Sequence, residues 1–316
     1  MKSLERPLVV ASAVIISCFC ASSLAAQGCS DAGFCTMGAL KPDQSYSKKL
    51  NIRLRSIEVG QYIGVTRFED VIFNYWADLS FGINEKTTLQ VKAPFAITRG
   101  FLDNTNGFGD ISLGLARNLV AKENYQLNLT LGGKIPTGNS NVRTSEGRTL
   151  AMYYQPGLGT WDVVAGLSFI TRKWLLAVGY QQSLNPTTNR FLWSDWEGTR
   201  FEEDVMLYTQ SLDLERGIDA MFRIERNFRL SNFNLNLGLL HIYRFGNDVI
   251  TLPNGEKNEV QGSDGLAWTA LVGFGYQLSV KSGIKVMNGI RLRRRPKNPD
   301  GLSRELVSTI SYVYKF

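Results

Sequence analysis

The end of the chain alternates between two kinds of side chain with a period of two residues. One set carries most of the large apolar groups: Leu306, Ser308, Ile310, Tyr312, Tyr314 and Phe316. The other set is Val307, Thr309, Ser311, Val313 and Lys315. Such alternation marks a β-strand whose two faces meet different surroundings. The same pattern recurs over 71–83, 89–97, 125–131, 161–169 and 266–278, so the chain is predicted to be an all-β protein.

The alternating segments and their connections predict a closed barrel. Twelve strands are expected, at 50–65, 70–83, 87–98, 109–120, 124–135, 158–171, 174–184, 205–225, 229–244, 266–280, 283–293 and 304–316. Short turns at 84–86, 122–123, 172–173, 226–227 and 281–282 alternate with longer connections at 99–108, 136–157, 185–204, 245–265 and 294–303, and with a modest first one near 66–69. Short periplasmic turns, longer extracellular loops and an even strand number are typical of an antiparallel up-and-down transmembrane β-barrel, which has no open edge. A secreted β-sandwich would share the alternation but has no reason to sort its loops by length.

The N-terminus predicts export. Lys2 and Arg6 precede an apolar run over 8–19 and a stretch of small residues over 21–26. This layout is that of a secretory signal peptide, residues 1–26, cleaved after Ala25 or Ala26. A buried N-terminal helix and a lipoprotein cleavage box ending at Cys18 are the alternatives. Beyond residue 26 no stretch approaches the ~18 apolar residues of a spanning helix. Together with the barrel, the signal places the chain in the bacterial outer membrane.

Two cysteines follow the signal. Cys29 and Cys35 can close a small loop, and an oxidising compartment favours a disulfide between them. A thiolate metal site needs more ligands than this pair supplies, so no metal and no cofactor is expected. We therefore divide the chain into the signal peptide, an N-terminal periplasmic or plug-like segment at 27–48, and the barrel at 49–316.

The face opposite the apolar one should point into the lumen. Closing the last strand onto the first brings basic side chains together, with Glu58 and Glu305 as the nearby acids, in a lumen-lining stripe: Arg53, Arg55, Lys285, Arg291 and Arg293. A wall of one sign concentrates anions, so this stripe would favour anionic or electron-rich solutes. A second set either faces water or forms ion pairs that hold the wall in register: Asp78, Lys92, Asp110, Lys134, Asp162, Asp219 and Arg223.

The 185–204 connection contains an extracellular aromatic cluster, Phe191, Trp193 and Trp196. Clustered exposed aromatic residues mark a binding or membrane-contact surface. The cluster is either an apolar vestibule for a hydrophobic solute or a lid packed into the barrel mouth, and the sequence leaves both open. Arg294 and Arg295 belong either to their loop or to a contact with lipopolysaccharide.

Several phrases in order resemble one family of outer-membrane proteins, the family named for the meta-cleavage pathway of phenol degradation. The phrases are Tyr75–Ile83, Val91–Phe95, Gly107-Phe108-Gly109-Asp110, Lys134-Ile135-Pro136-Thr137-Gly138 and Gln155-Pro156-Gly157-Leu158-Gly159-Thr160-Trp161-Asp162. The resemblance covers about 70–180 well and 205–316 mainly as strand pattern. It implies a channel for small, often aromatic or hydrophobic compounds. The segment around Cys29 and Cys35 lies outside the matched region.

These observations predict an outer-membrane channel or transporter for passive or substrate-biased uptake of small solutes through a charged lumen. A plugged barrel that releases hydrophobic solutes laterally is a close variant, and a structural or adhesin barrel is an alternative. A lipid hydrolase is the less favoured one, because the single histidine, His241, has no serine beside it on its own face, so we expect no enzyme. The expected partners are outer-membrane lipids and lipopolysaccharide, a small solute, and the barrel-assembly machinery through the strand ending at Phe316. No nucleic-acid partner is expected.

Overall fold

The computed structural model describes residues 53–316, and these form a β-structure with very little helix. The predicted signal peptide, the 27–48 segment, Cys29 and Cys35 lie outside the described residues. The strands are β1 Arg53–Val65, β2 Val71–Gly82, β3 Thr87–Arg99, β4 Asn104–Phe108, β5 Ile111–Ala121, β6 Tyr125–Ile135, β7 Asp162–Thr171, β8 Trp174–Ser183, β9 Ile218–Leu230, β10 Phe233–Phe245, β11 Asp248–Thr251, β12 Lys257–Val260, β13 Gly265–Gln277, β14 Ser282–Arg293 and β15 Leu306–Lys315. Helical turns occupy Met152–Tyr154, Trp193–Trp196 and Glu202–Val205. In this part of the chain no helix has the length and apolar character to cross a membrane.

Antiparallel pairing runs from each strand to the next until the sheet closes. The last strand, β15, pairs with β1 over ten residue pairs, from Ser56 with Lys315 to Val65 with Leu306. The strands β4 and β5 both pair with β3, so they form one barrel strand interrupted at Gly109 and Asp110. The strands β11 and β12 form a separate hairpin within a loop. The result is a closed barrel of twelve strands, which confirms the predicted fold class.

The connections at the two ends differ in length, as predicted. Two to four residues join the strands at one end, at 83–86, 122–124, 172–173, 231–232 and 278–281. The other end carries most of the longer loops, at 66–70, 136–161, 184–217, 246–264 and 294–305. The connection expected at 99–108 is only 100–103, because Asn104–Phe108 already pairs with β3.

The largest error in a predicted boundary concerns the eighth expected strand. The expected strand 205–225 begins only at Ile218 and continues to Leu230, past the turn expected at 226–227. The turn lies instead at Ser231 and Asn232, where Ser231 has a φ of 52°. Apolar residues over 205–214 imitate a strand because they pack inside the loop region, where Val205, Tyr208 and Leu214 are buried. The long loop therefore runs over 184–217.

The outer face of the barrel is an apolar belt. Residues such as Val59, Leu131, Val163, Val178 and Leu237 are between 43% and 50% exposed, although all are large and hydrophobic. An outward-facing apolar band on a closed barrel is the surface that meets lipid in transmembrane barrels. The barrel is thus built to span a membrane.

The inner face divides into two unlike parts. On the wall from β7 to β13 it carries a buried apolar cluster of Val164, Ile170, Leu175, Ala177, Met221, Leu240 and Leu271. The same wall also carries buried charged side chains, among them Asp219, Arg223 and Arg244. On the wall from β2 to β6 the inner face carries mainly polar and charged side chains. The sequence predicted the inward charges but not the apolar cluster.

Candidate functional site

A cavity lies in the lumen on the polar side of the barrel. The wall strands β2, β3, β5 and β6 form one side of it, and inward parts of two loops, 152–158 and 300–304, form the other. The cavity has about 770 Å³ of empty space, part of it open to solvent. Both charged and apolar groups line it, among them Trp76, Lys92, Lys134, Met152, Tyr153 and Arg304.

Three glycines bring the 136–161 loop into the lumen. A Cβ on Gly138 would lie 2.9 Å from the Cα atoms of both Gly109 and Gly157, so a larger residue would force the backbones apart. At this crossing Asp110 accepts hydrogen bonds from the backbone N–H groups of Gly138 (3.1 Å) and Leu158 (2.7 Å). The phrases that carried the family resemblance thus meet at one junction, where they direct the loop inward.

The inward loops are fixed to each other. The side-chain oxygen of Gln155 accepts a hydrogen bond from the backbone N–H of Val142 (2.6 Å). Its side-chain nitrogen donates to the C=O groups of Val142 (3.2 Å) and Leu150 (2.8 Å). These three hydrogen bonds close the tip of the 136–161 loop. Gly301, at a φ of 69°, lies against the backbone of Met152 and Tyr153, where a Cβ would come within 2.6 Å. The 294–305 loop therefore packs directly on the helical turn that lines the cavity.

An aromatic cap closes the end of the barrel that carries the long loops. We use this name for the buried cluster Leu102, Leu150, Ala151, Tyr153, Tyr154, Phe191, Trp196, Val205 and Tyr208. At its centre the carboxylate of Asp70, which is fully buried, accepts hydrogen bonds from the hydroxyls of Tyr154 (2.6 Å), Tyr208 (3.1 Å) and Thr66 (3.1 Å). Burial raises the pKa of Asp70, against the opposing effect of these hydrogen bonds. Burial also raises the pKa of Tyr153, to about 12.

A network of buried charges lies beside the cap. We use the name ion network for Arg216, Arg244, Arg295, Asp162, Asp219, Asp248 and Asp300, each of which is at most 8% exposed. The guanidinium of Arg244 is its hub, at 2.6 Å from Asp219, 2.8 Å from Asp248 and 2.9 Å from Asp300. Arg216 reaches Asp162 at 3.0 Å.

The network joins three loops to the wall. Asp162, Asp219 and Arg244 belong to barrel strands, whereas the other four members lie in the 184–217, 246–264 and 294–305 loops. Burial alone would raise the pKa of Asp300, yet Arg244, Arg295 and Arg216 together hold it below its usual range. Burial raises the pKa of Asp248 in spite of Arg244.

The predicted basic stripe is placed differently by the structure. Arg291 pairs with Glu305 and donates to Ser303 Oγ (3.1 Å), and Lys285 Nζ lies 4.0 Å from Glu58. Arg55 donates to Thr88 Oγ1 (2.7 Å) and to the C=O of Asn84 (2.8 Å). Lys285 and Arg291 therefore each have a carboxylate partner, whereas neutral oxygen atoms hold Arg55.

Arg293 lies on the outer face, contrary to the prediction. It stands opposite Trp268, an outward residue, because a bulge at Leu292 shifts the register between β13 and β14. Strict alternation counted through the bulge assigns the wrong face. Arg53 begins β1, and the description of that residue does not extend to its side chain. Arg295, left open between two roles, belongs to the ion network.

The second set of predicted lumen charges lies on the inner wall. Asp78 stands opposite Lys92, which lies 4.8 Å from the ring of Trp76, and Lys134 stands opposite Asp162. Asp110 bonds loop backbone rather than a cation. Asp162 and Asp219 pair with arginines from the ion network. Arg223 pairs with Glu225, two residues along the same strand.

The aromatic cluster of the 184–217 loop is a lid rather than an open vestibule. Phe191 is fully buried and Trp196 is 1% exposed, both inside the aromatic cap. Trp193 is 36% exposed and donates from Nε1 to the C=O of Tyr208 (2.9 Å).

Sequence reasoning missed Asp70, Tyr154 and Tyr208 in the cap, and Arg216, Arg244, Asp248 and Asp300 in the network. Arg244 follows the inward alternation of its strand and could have been found from it. The others lie in loops, where no periodicity predicts which way a side chain points.

His241 lies on the outer face of β10. Its ring centroid is 5.0 Å from that of Trp268 and 5.9 Å from that of Phe222, two outward residues of the neighbouring strands. This position puts the imidazole outside the lumen.

The fold resembles solved outer-membrane proteins. An outer-membrane channel from Pseudomonas putida F1 superposes with a TM-score of 0.61 at 17% identity, over 87% of this chain and 99% of that one. The NanC porin (TM-score 0.45, 10% identity, 83% and 100% covered) and the outer membrane phospholipase A from Escherichia coli (0.39, 10%, 84% and 98%) are more distant and support no argument. No protein-family model and no curated protein matches the chain. The likeness shows the fold, that of a bacterial outer-membrane β-barrel, in agreement with the predicted location; the resemblance to the phenol-degradation family stays a prediction.

Proposed function

We propose that the protein is an outer-membrane channel for small solutes, closed at the mouth by its own loops. The observation that carries this proposal is the cavity beneath the loops, which combines charged and aromatic groups inside a transmembrane barrel. A barrel of eight strands is filled by its own side chains, whereas sixteen or more leave a water channel. A barrel of twelve strands with one half filled and one half hollow fits a narrow, selective path.

The cavity lining suits a solute with an apolar ring and a carboxylate. Trp76, Tyr153 and Pro94 offer flat apolar contacts, while Lys92 and Lys134 supply positive charge on the wall. Few polar groups placed among apolar ones are what fixes orientation in small-molecule sites. We therefore propose small aromatic carboxylates as the favoured class, which sharpens the aromatic or hydrophobic solute expected from the resemblance.

Single-channel recording in planar bilayers tests both parts of the proposal. We expect the refolded mature chain to give infrequent conductance steps in sodium chloride, and benzoate to block them. Replacing either Lys92 or Lys134 by Gln should weaken the block roughly ten-fold, since one charged hydrogen bond contributes about 1.5 to 3 kcal/mol. Lys257→Gln is the control, because Lys257 is exposed on a loop and pairs with Glu215.

Two outcomes would contradict the proposal. A folded barrel without conductance, even after Trp196→Ala loosens the cap, would favour the structural or adhesin alternative. Conductance that benzoate leaves unchanged would support the channel and reject aromatic carboxylates as the favoured solutes.

We also propose that the chain is not a hydrolase, because its single histidine packs between outward aromatic rings. Lipase activity that is lost in His241→Ala would contradict this.

A further inference from the structure

The rim at the short-turn end of the barrel has a step. The strand β8 begins at Trp174, which stands opposite Arg226 of β9, and the backbone N–H of Asn227 donates to the C=O of Lys173 (2.8 Å). The strand β9 continues four residues further, to Leu230, before it turns into β10. At about 3.4 Å per residue, the β9–β10 hairpin extends roughly 13 Å beyond the neighbouring β7–β8 turn.

Three basic side chains gather at this step. Arg172 and Lys173 form the short turn itself, and Arg226 points outward beside them. The guanidinium of Arg226 lies 4.8 Å from the ring of Trp174 and 5.6 Å from that of Phe228, both of which are about 40% exposed. Within residues 53–316 no carboxylate forms an ion pair with any of the three basic groups.

The position of Arg226 at the edge of the apolar belt favours binding of an anionic group. It shares the outward face of β9 with Ile224 and Phe228, so it lies at the edge of the apolar belt, where a charge is costly unless it reaches the headgroups. Aromatic residues such as Trp174 mark that headgroup level in membrane proteins. The nearest acid along the strand, Glu225, points into the lumen and pairs with Arg223.

The charge at the two ends of the barrel identifies the kind of lipid. The short turns carry Lys86, Lys122, Arg172, Lys173 and Lys281 against Glu85 and Glu123. At the opposite end the 195–204 segment alone carries Asp195, Glu197, Glu202, Glu203 and Asp204 against Arg200. Short turns face the periplasm in outer-membrane barrels, so the basic end meets the phospholipid leaflet.

We propose that Arg172, Lys173 and Arg226, with the rings of Trp174 and Phe228, bind the headgroup of an anionic phospholipid. The planar guanidinium of Arg226 is suited to bidentate contact with a phosphate, and Lys173 adds a point charge. The two rings hold the guanidinium in place and cover the upper part of the acyl chains. This site is independent of conduction, since all its residues lie at the rim or on the outer face.

Native mass spectrometry of the full mature chain in detergent tests the site. We titrate phosphatidylglycerol and phosphatidylcholine with the same acyl chains and expect phosphatidylglycerol to bind at least about five-fold tighter. The double variant Lys173→Gln, Arg226→Gln should lose roughly ten-fold in phosphatidylglycerol affinity and little for phosphatidylcholine. Arg229→Gln is the matched control, because Arg229 lies on the same strand at the same end but alternates to the opposite face; its affinity should change less than about two-fold.

Three results would overturn the proposal. Equal binding of the two phospholipids would mean unspecific lipid around the belt. An equal loss in Arg229→Gln would mean that the whole rim, not the step, attracts anions. Tighter binding of lipopolysaccharide, unaffected by the double variant, would place the anionic lipid at the other end. The heat-dependent gel shift of the barrel checks the folding of each variant. If a variant with Arg226→Gln fails to fold, the double variant Arg172→Gln, Lys173→Gln tests the site instead, because both of its changes lie in the turn.

Discussion

The aromatic cap and the ion network lie side by side over the lumen, and they hold the loops by different physics. In the cap, apolar rings bury a single carboxylate, Asp70, which is held by hydroxyl groups and by one backbone N–H. Within residues 53–316 no basic side chain forms an ion pair with it. In the network, three guanidinium groups and four carboxylates lie within ion-pair distance of one another. Burial drives the first arrangement, whereas in the second burial is a cost that pairing offsets.

The two clusters also differ in what they are attached to. Every member of the aromatic cap lies in a loop, so the cap ties loops to each other. Three members of the ion network, Asp162, Asp219 and Arg244, belong to barrel strands, so the network ties loops to the wall. The cap can therefore separate without breaking a strand pairing, and the network cannot be lost without disturbing β7, β9 and β10. We infer that a solute path would open at the cap and that the network acts as its fixed side.

Removing the hub of the network should have the largest effect on the loops. Arg244→Met leaves Asp219, Asp248 and Asp300 buried with less compensation, and breaking a buried pair in this way costs about 3 to 5 kcal/mol. We expect faster hydrogen exchange in 246–264 and 294–305 and a lower unfolding temperature of the barrel. Hydrogen–deuterium exchange with mass spectrometry and the gel shift measure the two.

Lys257→Met is the control for that variant. Lys257 and Glu215 form an exposed pair, at 65% and 42% side-chain exposure, and such pairs contribute under about 1 kcal/mol. If Arg244→Met left loop exchange as slow as Lys257→Met does, the network would not be what fixes these loops. Arg295→Met, whose contacts to Asp219 and Asp300 are 3.8 and 3.9 Å, offers a milder variant should Arg244→Met not fold.

Opening the cap should affect the loops and leave the wall intact. Trp196→Ala removes the largest buried ring of the cap and should destabilise it by about 3 kcal/mol through lost burial and the cavity left behind. We expect proteolysis within 184–217 and more frequent conductance steps, with an unchanged unfolding temperature of the barrel. Trp193→Ala, three residues away and 36% exposed, should have a much smaller effect. A fall in barrel stability equal to that of Arg244→Met would show that the two clusters are one unit.

The difference between strands and loops also decided what the sequence could predict. The twelve strands could be predicted because lipid on one side of the wall and the lumen on the other impose an alternation of side chains. For the same reason, ten of the residues predicted as lumen charges lie on the inner wall or at its mouth, among them Asp78, Lys134 and Asp219. Some of their partners come from loops, which the alternation does not predict. Asp162 was expected either to face water or to form an ion pair. It stands opposite Lys134 and forms an ion pair with Arg216, which lies in a stretch that the alternation assigned to a strand.

Two further departures have local causes. The bulge at Leu292 turned Arg293 outward, and no pattern in the sequence marks a single extra residue in a strand. The glycines at 109, 138 and 157 were recognised as a pattern, but only the structure explains them as the crossing where two backbones approach. The sequence therefore predicts the wall well and the contents of the mouth poorly, because loop conformation depends on contacts between distant segments.

Acid should separate the two clusters in opposite directions. The pKa of Asp70 is raised by burial, so its contribution to stability is present below the pKa of an unfolded Asp and is lost as pH rises through the folded pKa; acidification tightens the cap. The pKa of Asp300 is lowered by Arg244, Arg295 and Arg216 against the effect of burial, so its contribution to stability is present above about pH 4 and is lost as pH falls through the folded pKa.

Between pH 7 and pH 4 we therefore expect hydrogen exchange, corrected for its intrinsic rate, to slow in the cap peptides around Tyr154 and Tyr208. Peptides around Asp300 should stay protected until the pH falls further. Asp70→Asn should abolish the slowing in the cap, because an amide does not titrate in this range, and should leave the 294–305 peptides unchanged. Slowing that persists in Asp70→Asn would assign the acid response to the raised pKa of Asp248, and the cap would then depend on the network for its closure.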